Sequence, residues 1–205
     1  SNSVIEEYLS KFKDILSSRP EVKQNRYNWY VMSRYGSAYS KAFDNPKIIY
    51  PEFSSSSLFS YDDNNSYLLD TSWFIDCGDK YLLALLNSKL IWHYLKYISS
   101  SLGSASLRMK KIFVEQVPIP KIEEEKQQPL IKLVDEILES KLKIRDYKVL
   151  LDEAMKNDNF DREIKLKKEL ETLENISSSN EKKIDQMVYK LYDLTEDEIR
   201  IVEVS

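Results

Sequence analysis

The chain predicts an α+β fold: a mixed small-sheet domain with flanking helices over residues 1–121, followed by an all-α helical hairpin or bundle over 122–205. Three observations carry this reading. Short aromatic and β-branched runs fill residues 26–76, separated by Gly, Pro, Asn, Asp and Ser clusters, which is the pattern of strands and turns. Segments of helical period lie on either side of them. After Gly103 there is no glycine and after Pro129 no proline, and what remains is long and charged, with a narrow apolar seam.

Taken in order, SVIEEYLSKFKDILSSR predicts a first helix. Ser3 and Glu6 have capping-box spacing, Val4, Tyr8, Phe12, Ile15 and Leu16 recur on one face, and Pro20 closes the helix. RYNWYVMSRYGSAYSKAF, KIIYPEF, SLFSYDDNNSYLLD and TSWFID read as short strands, with YDDNNSY as a hairpin or loop tip. Trp29, Trp73 and Trp92 sit in apolar patterns and are expected in the core. Residues 79–98 return to helical period through Leu82, Leu83, Leu85, Leu86, Leu90, Trp92 and Leu95. A loop follows, SSSLGSASLRMKK, and then a last strand at KIFVEQVPI. Beyond residue 122, KQQPLIKLVDEILESKLKIRDYKVLLDEAM predicts a long helix, KNDNF a turn, DREIKLKKELETLENI a second helix, and EKKIDQMVYKLYDL a third after SSSN. Thr195 and Glu198 cap a final short helix.

Composition narrows the function. No apolar run is long enough for a transmembrane span and no charged-then-apolar leader opens the chain. The opening SNS, in place of Met, leads to the expectation that the chain is a piece of a larger protein. One cysteine, Cys77, forbids an internal disulfide and fits a reducing, cytoplasmic setting. One histidine, His93, lies inside an apolar run and is expected to be packed rather than a ligand or general base; no metal site is expected. Three glycines exclude a GxGxxG fingerprint and a phosphate-cradling Walker loop. No catalytic residue is identified: Glu124 and Lys126 supply only half of a metal-nuclease pattern, and no Gly-x-Ser-x-Gly elbow accompanies His93.

The net charge of −4 conceals a split. Residues 1–121 carry 15 basic against 12 acidic side chains, and residues 122–205 carry 15 against 22. Two segments are the most basic, 19–49 and 77–121. Sign asymmetry of this kind is what one polyanion-facing surface produces, and also what an unpartnered solvated face looks like. The loop ending in RMKK poses the same choice, between a plain connection and a donor-rich loop facing an anion. Long charged helices with a narrow seam pair with each other or with a neighbouring domain, and their acidity argues against their lying along DNA.

LLALLNSKLIWHYLKY, the Ser/Gly loop, RMKKIFVEQVPIPKI and EEEKQQPLIKLVDEIL together resemble the TaqI-like C-terminal specificity domain of adenine-specific DNA methyltransferases and Type IIG restriction enzymes. RYNWYVMSR, PKIIYPEFS, YLLDTSWFI and IDQMVYKLYDLTEDEIRIVE extend the likeness over nearly the whole chain. A looser one exists to the specificity subunits of Type I restriction systems, which join recognition domains to long helical spacers. The resemblance implies a target-recognition domain for double-stranded DNA, working with a methyltransferase domain in the same polypeptide or a partner chain, in some relatives with an endonuclease. That other domain would bind S-adenosylmethionine and carry an Asn-Pro-Pro-aromatic motif; here Asn45-Pro46 is followed by Lys47, so no cofactor is expected in this chain.

Reading base edges takes Arg for guanine and Asn or Gln for adenine, and holding phosphates takes Lys, Arg, Ser, Tyr and backbone donors. On that chemistry the expected DNA contacts are Arg26, Tyr27, Arg34, Tyr35, Tyr39 and Lys41 in the first basic-aromatic stretch. Ser101, Gly103, Ser104, Ser106, Arg108, Lys110 and Lys111 are expected from the loop. Two other readings stand beside this one: a Type I-like specificity subunit assembling with separate methyltransferase chains, and a protein-interaction module that binds through the acidic helices.

Overall fold

The computed structural model describes residues 3–31, 37–102 and 106–204, and the chain divides into two compact units, 1–41 and 42–205. Each is taken by itself.

In the first unit the expected single helix is broken into α1 (Ser3–Ser10) and α2 (Lys13–Ser17), with Phe12 at the N-cap of α2. The apolar face exists but is not covered: Val4, Tyr8, Phe12 and Ile15 are all exposed. A short α3 (Pro20–Lys23) follows, opened by Pro20 at N1, where its missing N–H costs nothing. Asn25 takes the left-handed conformation (φ 55°) that ends this turn. Arg19 then ties the chain down, donating from Nη2 to the Trp29 carbonyl at 2.5 Å and the Val31 carbonyl at 2.9 Å, and from Nε to Leu16 at 2.9 Å. None of the described residues between 19 and 46 is in a strand, contrary to expectation. They form α3, turns and a 3-10 helix over Ser37–Asp44, because side-chain and local backbone bonds, not a ladder, satisfy this stretch.

The second unit contains two small antiparallel sheets. β1 (Lys47–Pro51), β3 (Ser60–Asp62) and β4 (Ser72–Ile75) form one, in the order β3-β1-β4. β2 (Phe53–Ser54), β5 (Ser100–Leu102) and β6 (Ser106–Arg108) form the other, in the order β2-β6-β5. The chain passes from one sheet to the other at Glu52, whose N–H donates to the Thr71 carbonyl (2.9 Å) while its own carbonyl accepts from Met109 (2.7 Å). The 62–66 turn is organised by Asp62, which accepts from Ser66 N (3.1 Å) and Ser66 Oγ (2.7 Å) and pairs with the fully buried Lys47 at 2.7 Å.

α4 (Lys80–Leu86) and α5 (Lys89–Ile98) supply the apolar run the sequence predicts. Asp79 caps α4 by accepting from Tyr81 and Leu82, and Ser88 caps α5 by accepting from Ile91. Their faces meet Ile48 and Tyr50 of β1 in one core, which Trp73 and Trp92 join as partly buried members. Trp29, in the first unit, is partly buried edge-on to Tyr30. Two expectations fail after residue 99. The serine-rich stretch is not a loop throughout: its flanks are the paired strands β5 and β6. KIFVEQVPI is not a strand but a helical turn, α6 (Lys111–Val114), followed by an irregular segment. Pro118 and Pro120 have no N–H for a ladder, and tyrosine hydroxyls take up their carbonyls instead, Tyr192 at 2.6 Å and Tyr81 at 2.9 Å.

α7 (Glu124–Lys156) and α8 (Phe160–Leu191) form the expected hairpin, about 50 Å long at 1.5 Å per residue. The turn falls at 157–159, with Asp158 left-handed and Asn159 capping α8. SSSN does not break α8 into two helices, because Ser177 and Asn180 are buried and bonded: Asn180 Nδ2 donates to Glu136 of α7 at 2.8 Å, and its Oδ1 accepts from Lys183 at 3.0 Å. The base of the hairpin belongs to the same core as the sheets, through Leu130, Val134, Ile137, Ile184 and Val188. α9 (Glu196–Val204) closes the chain, with Thr195 and Glu198 in the predicted box. Glu203 of α9 pairs with Lys89 and accepts from the Tyr189 hydroxyl at 2.8 Å. Among the described residues no helix is long and apolar enough to cross a membrane.

Candidate nucleic-acid interface

The β2-β6-β5 sheet orders most of the second group of expected contacts. Antiparallel pairing sets Arg108 opposite Phe53 on one side and Ser100 on the other, and Leu107 opposite Ser54 and Ser101. Paired residues share a face and neighbours alternate. Leu107 packs on the core, so the face carrying Phe53, Ser100, Ser106 and Arg108 is the outer one. Ser106 and Arg108 therefore come together, whereas Ser101, though exposed, stands on the Leu107 side.

Arg108 is held in place. Its Nε and Nη2 both donate to Glu52 Oε1, at 2.8 and 2.7 Å, and its guanidinium lies 5.5 Å from the Phe53 ring centroid. Glu52 is 15 % exposed and Arg108 41 %, so the carboxylate is the inner partner and the guanidinium the outer one. A guanidinium has five N–H donors in a fixed fork, so the pair leaves others free for a ligand. Glu52 is the residue that sequence reading missed. Nothing in PEFS marks it, because its partner is 56 positions away.

Lys110 is the N-cap residue of α6 and makes no side-chain ion pair among the described residues. Lys111 pairs with Glu115 at 3.3 Å, with both side chains well exposed, a contact that water screens to little value. Two residues after β6, the chain thus presents two cations close to the outer face that carries Arg108. Gly103 and Ser104 lie outside the described residues.

In the first unit, Arg26 is exposed and follows the left-handed Asn25. Tyr27 is different in kind: its hydroxyl is buried without a partner, and Arg19 covers its ring at 5.4 Å. Lys41 is exposed on the 3-10 helix. Tyr39 belongs to the same helix, with its side chain outside the described set, as are Arg34 and Tyr35 altogether.

His93 is partly buried on α5, edge-on to Tyr97 at 5.0 Å, with Nδ1 unpartnered. Burial and then the Lys96 charge push its pKa down, favouring the neutral ring. Among the described residues no three His, Cys, Asp or Glu side chains converge as a metal-ligand set.

Two small sheets on a helical scaffold, one of them presenting a serine- and cation-bearing face, define an α+β recognition domain. The chain belongs to the TaqI-like C-terminal specificity domain family, whose model matches residues 8–119, more than half of its length. It is accordingly a DNA specificity domain of a modification enzyme. No curated protein matches it.

Proposed function

We propose that the chain reads a specific double-stranded DNA sequence and positions an adenine-specific methyltransferase of the Type IIG kind, with or without an endonuclease. The observation that carries this reading is the outer face of the β2-β6-β5 sheet, where Arg108 is oriented by Glu52 beside Ser106, Lys110 and Lys111. A pre-oriented guanidinium suits a guanine edge in the major groove, and flanking serines and lysines suit phosphate oxygens. Arg26, Arg34, Tyr35, Tyr39 and Lys41 add backbone contacts from the first unit, with Tyr27 supporting that stretch from within. Ser101, Gly103 and Ser104 complete the set of small donors expected from the serine-rich stretch. S-adenosylmethionine, methyl transfer and extrusion of the target adenine belong to the catalytic domain, and a cytoplasmic setting follows from DNA as ligand.

Selection from a random duplex pool across a salt series tests this. An enriched motif with affinity falling steeply in salt is expected. Salt-insensitive or absent binding sinks the reading and favours a protein-interaction module instead.

A second reading draws on the α7–α8 hairpin. Its far end leaves Met155, Phe160 and Ile164 exposed, and Leu142, Val149 and Ile176 are exposed along its length. A Type I-like specificity subunit would use residues 122–205 to assemble with separate methyltransferase chains. Met155→Lys with Phe160→Lys would then abolish co-assembly while leaving DNA selection intact.

A further inference from the structure

A cavity of about 420 Å³ lies in the second unit, between the β3-β1-β4 sheet, α4 and the α6 region. Tyr50 and Trp73, paired across β1 and β4, line it together with Phe74 and an apolar wall of Leu82, Leu86 and Val114. Asp76, Lys111 and Glu115 are its charged members, all exposed. The volume and the mostly apolar lining with a few polar groups are those of small-ligand sites.

Two polar groups line this cavity without a protein partner, and one of them is unexplained by the fold. Tyr50 is 3 % exposed as a residue, but its hydroxyl is not shut off from solvent and no group of the described residues bonds it. The Trp73 indole nitrogen is buried and also without a partner. Buried polar groups are nearly always satisfied, and each orphan costs about 1–3 kcal/mol. A purely aliphatic occupant would leave both unsatisfied. A planar heterocycle stacks on the aromatic walls and bonds the Tyr50 hydroxyl through a ring nitrogen or carbonyl. The same heterocycle can offer an exocyclic amino group to Glu115 or Asp76. Lys111, at the mouth, suits an attached phosphate.

We propose that this cavity is a nucleobase pocket, taking an extrahelical base of the bound DNA. The proposal rests on the DNA-recognition reading above. The outer face of the β2-β6-β5 sheet reads the duplex, and the cavity takes a base that leaves it.

The test compares the full chain on two fluorescently labelled duplexes by anisotropy at low salt, one fully paired and one with a single bulged adenine or cytosine. The parent is expected to bind the bulged duplex at least tenfold tighter. Tyr50→Phe, which keeps the packing and removes the hydroxyl, and Trp73→Phe should each reduce that preference several-fold with paired-duplex affinity unchanged. Equal affinity of the parent for both duplexes overturns the pocket and leaves DNA recognition standing. Failure to bind either duplex overturns both. A preference that persists in both variants also overturns the pocket, because the bulge is then read elsewhere.

Discussion

At the scale of single residues, the Lys47–Asp62 pair makes the sharpest prediction. Lys47 is fully buried, and besides Asp62 it donates to the Phe43 carbonyl at 2.9 Å. Burial opposes ionisation of Asp62, but the Lys47 ammonium and the Ser66 donors outweigh it and hold the carboxyl below its ordinary range. A carboxyl depressed in the folded state contributes stability above its unfolded pKa and loses it as pH falls through the folded one. Removing one partner of such a pair leaves a buried charge and costs about 3–5 kcal/mol. Asp62→Asn is therefore expected to lower the urea midpoint strongly at pH 7, with the parent's midpoint falling toward the variant's below about pH 4, where carboxylates titrate. Parallel midpoint curves down to pH 2 would refute it. Arg108→Ala is expected to weaken duplex binding by about 1–3 kcal/mol, roughly fivefold to 150-fold. Arg108→Lys should recover charge but not motif selection, since an ammonium lacks the planar fork. Equal selection by Arg108→Lys would show that the guanidinium reads no base. Gly78→Ala tests packing, because a Cβ there would sit 2.6 Å from Pro46 Cβ, so one of the two segments must shift. A loss of about 1–3 kcal/mol in urea is expected, the usual cost of overpacking.

At the scale of elements, legibility followed the range of the forces involved. α7, α9 and the helical period of the α4–α5 stretch could be read because period, caps and breakers act within a few residues, as at Thr195, whereas the break between α4 and α5 at Ser88 was not read. α8 was misread at SSSN because serine and asparagine disfavour helix interiors when alone, and here α7 supplies a partner for Asn180 while Ser177 donates to Glu181 within α8. Asn180→Ala removes the donor to Glu136 and the acceptor for Lys183 and should cost about 1–2 kcal/mol, seen as a lower melting temperature. An unchanged melting temperature would mean that the layer adds nothing to the pairing of α7 and α8. The segment at 111–119 was misread for the opposite reason. Its β-branched residues favour a strand, but its first half closes local helical-turn bonds and the Gln116 and Pro118 carbonyls accept from Tyr94 and Tyr192, so tertiary contact holds it out of a ladder.

At the scale of the whole molecule, the charge split becomes a measurable salt dependence. If about three cations of the second unit, Arg108, Lys110 and Lys111, meet phosphates, a fourfold rise in salt should weaken binding roughly fortyfold. Neutralising Lys110 and Lys111 together should flatten the log–log slope by about two while keeping the selected motif. A slope unmoved by that change would place the polyanion on another face. The acidic hairpin shares a core with the sheets at its base and then extends away, so its charge is spent on cross-helix pairs such as Lys141–Glu181 at 3.1 Å.

The sequence by itself determined the class, the helical hairpin, the strand-rich middle and the family, because all of these are written in local period, turn chemistry and an ordered series of short segments. Most residues of the candidate interface could also be named from it, since their chemistry is a property of residue type. Tertiary structure alone decided which of them share a face. The register of β6 against β2 and β5 turns Ser106 and Arg108 outward together and leaves Ser101 on the other side. It also brought Glu52 to Arg108 and set Tyr50 and the unsatisfied indole nitrogen of Trp73 around a cavity. Those outcomes depend on pairings between residues tens of positions apart, and no local pattern encodes them.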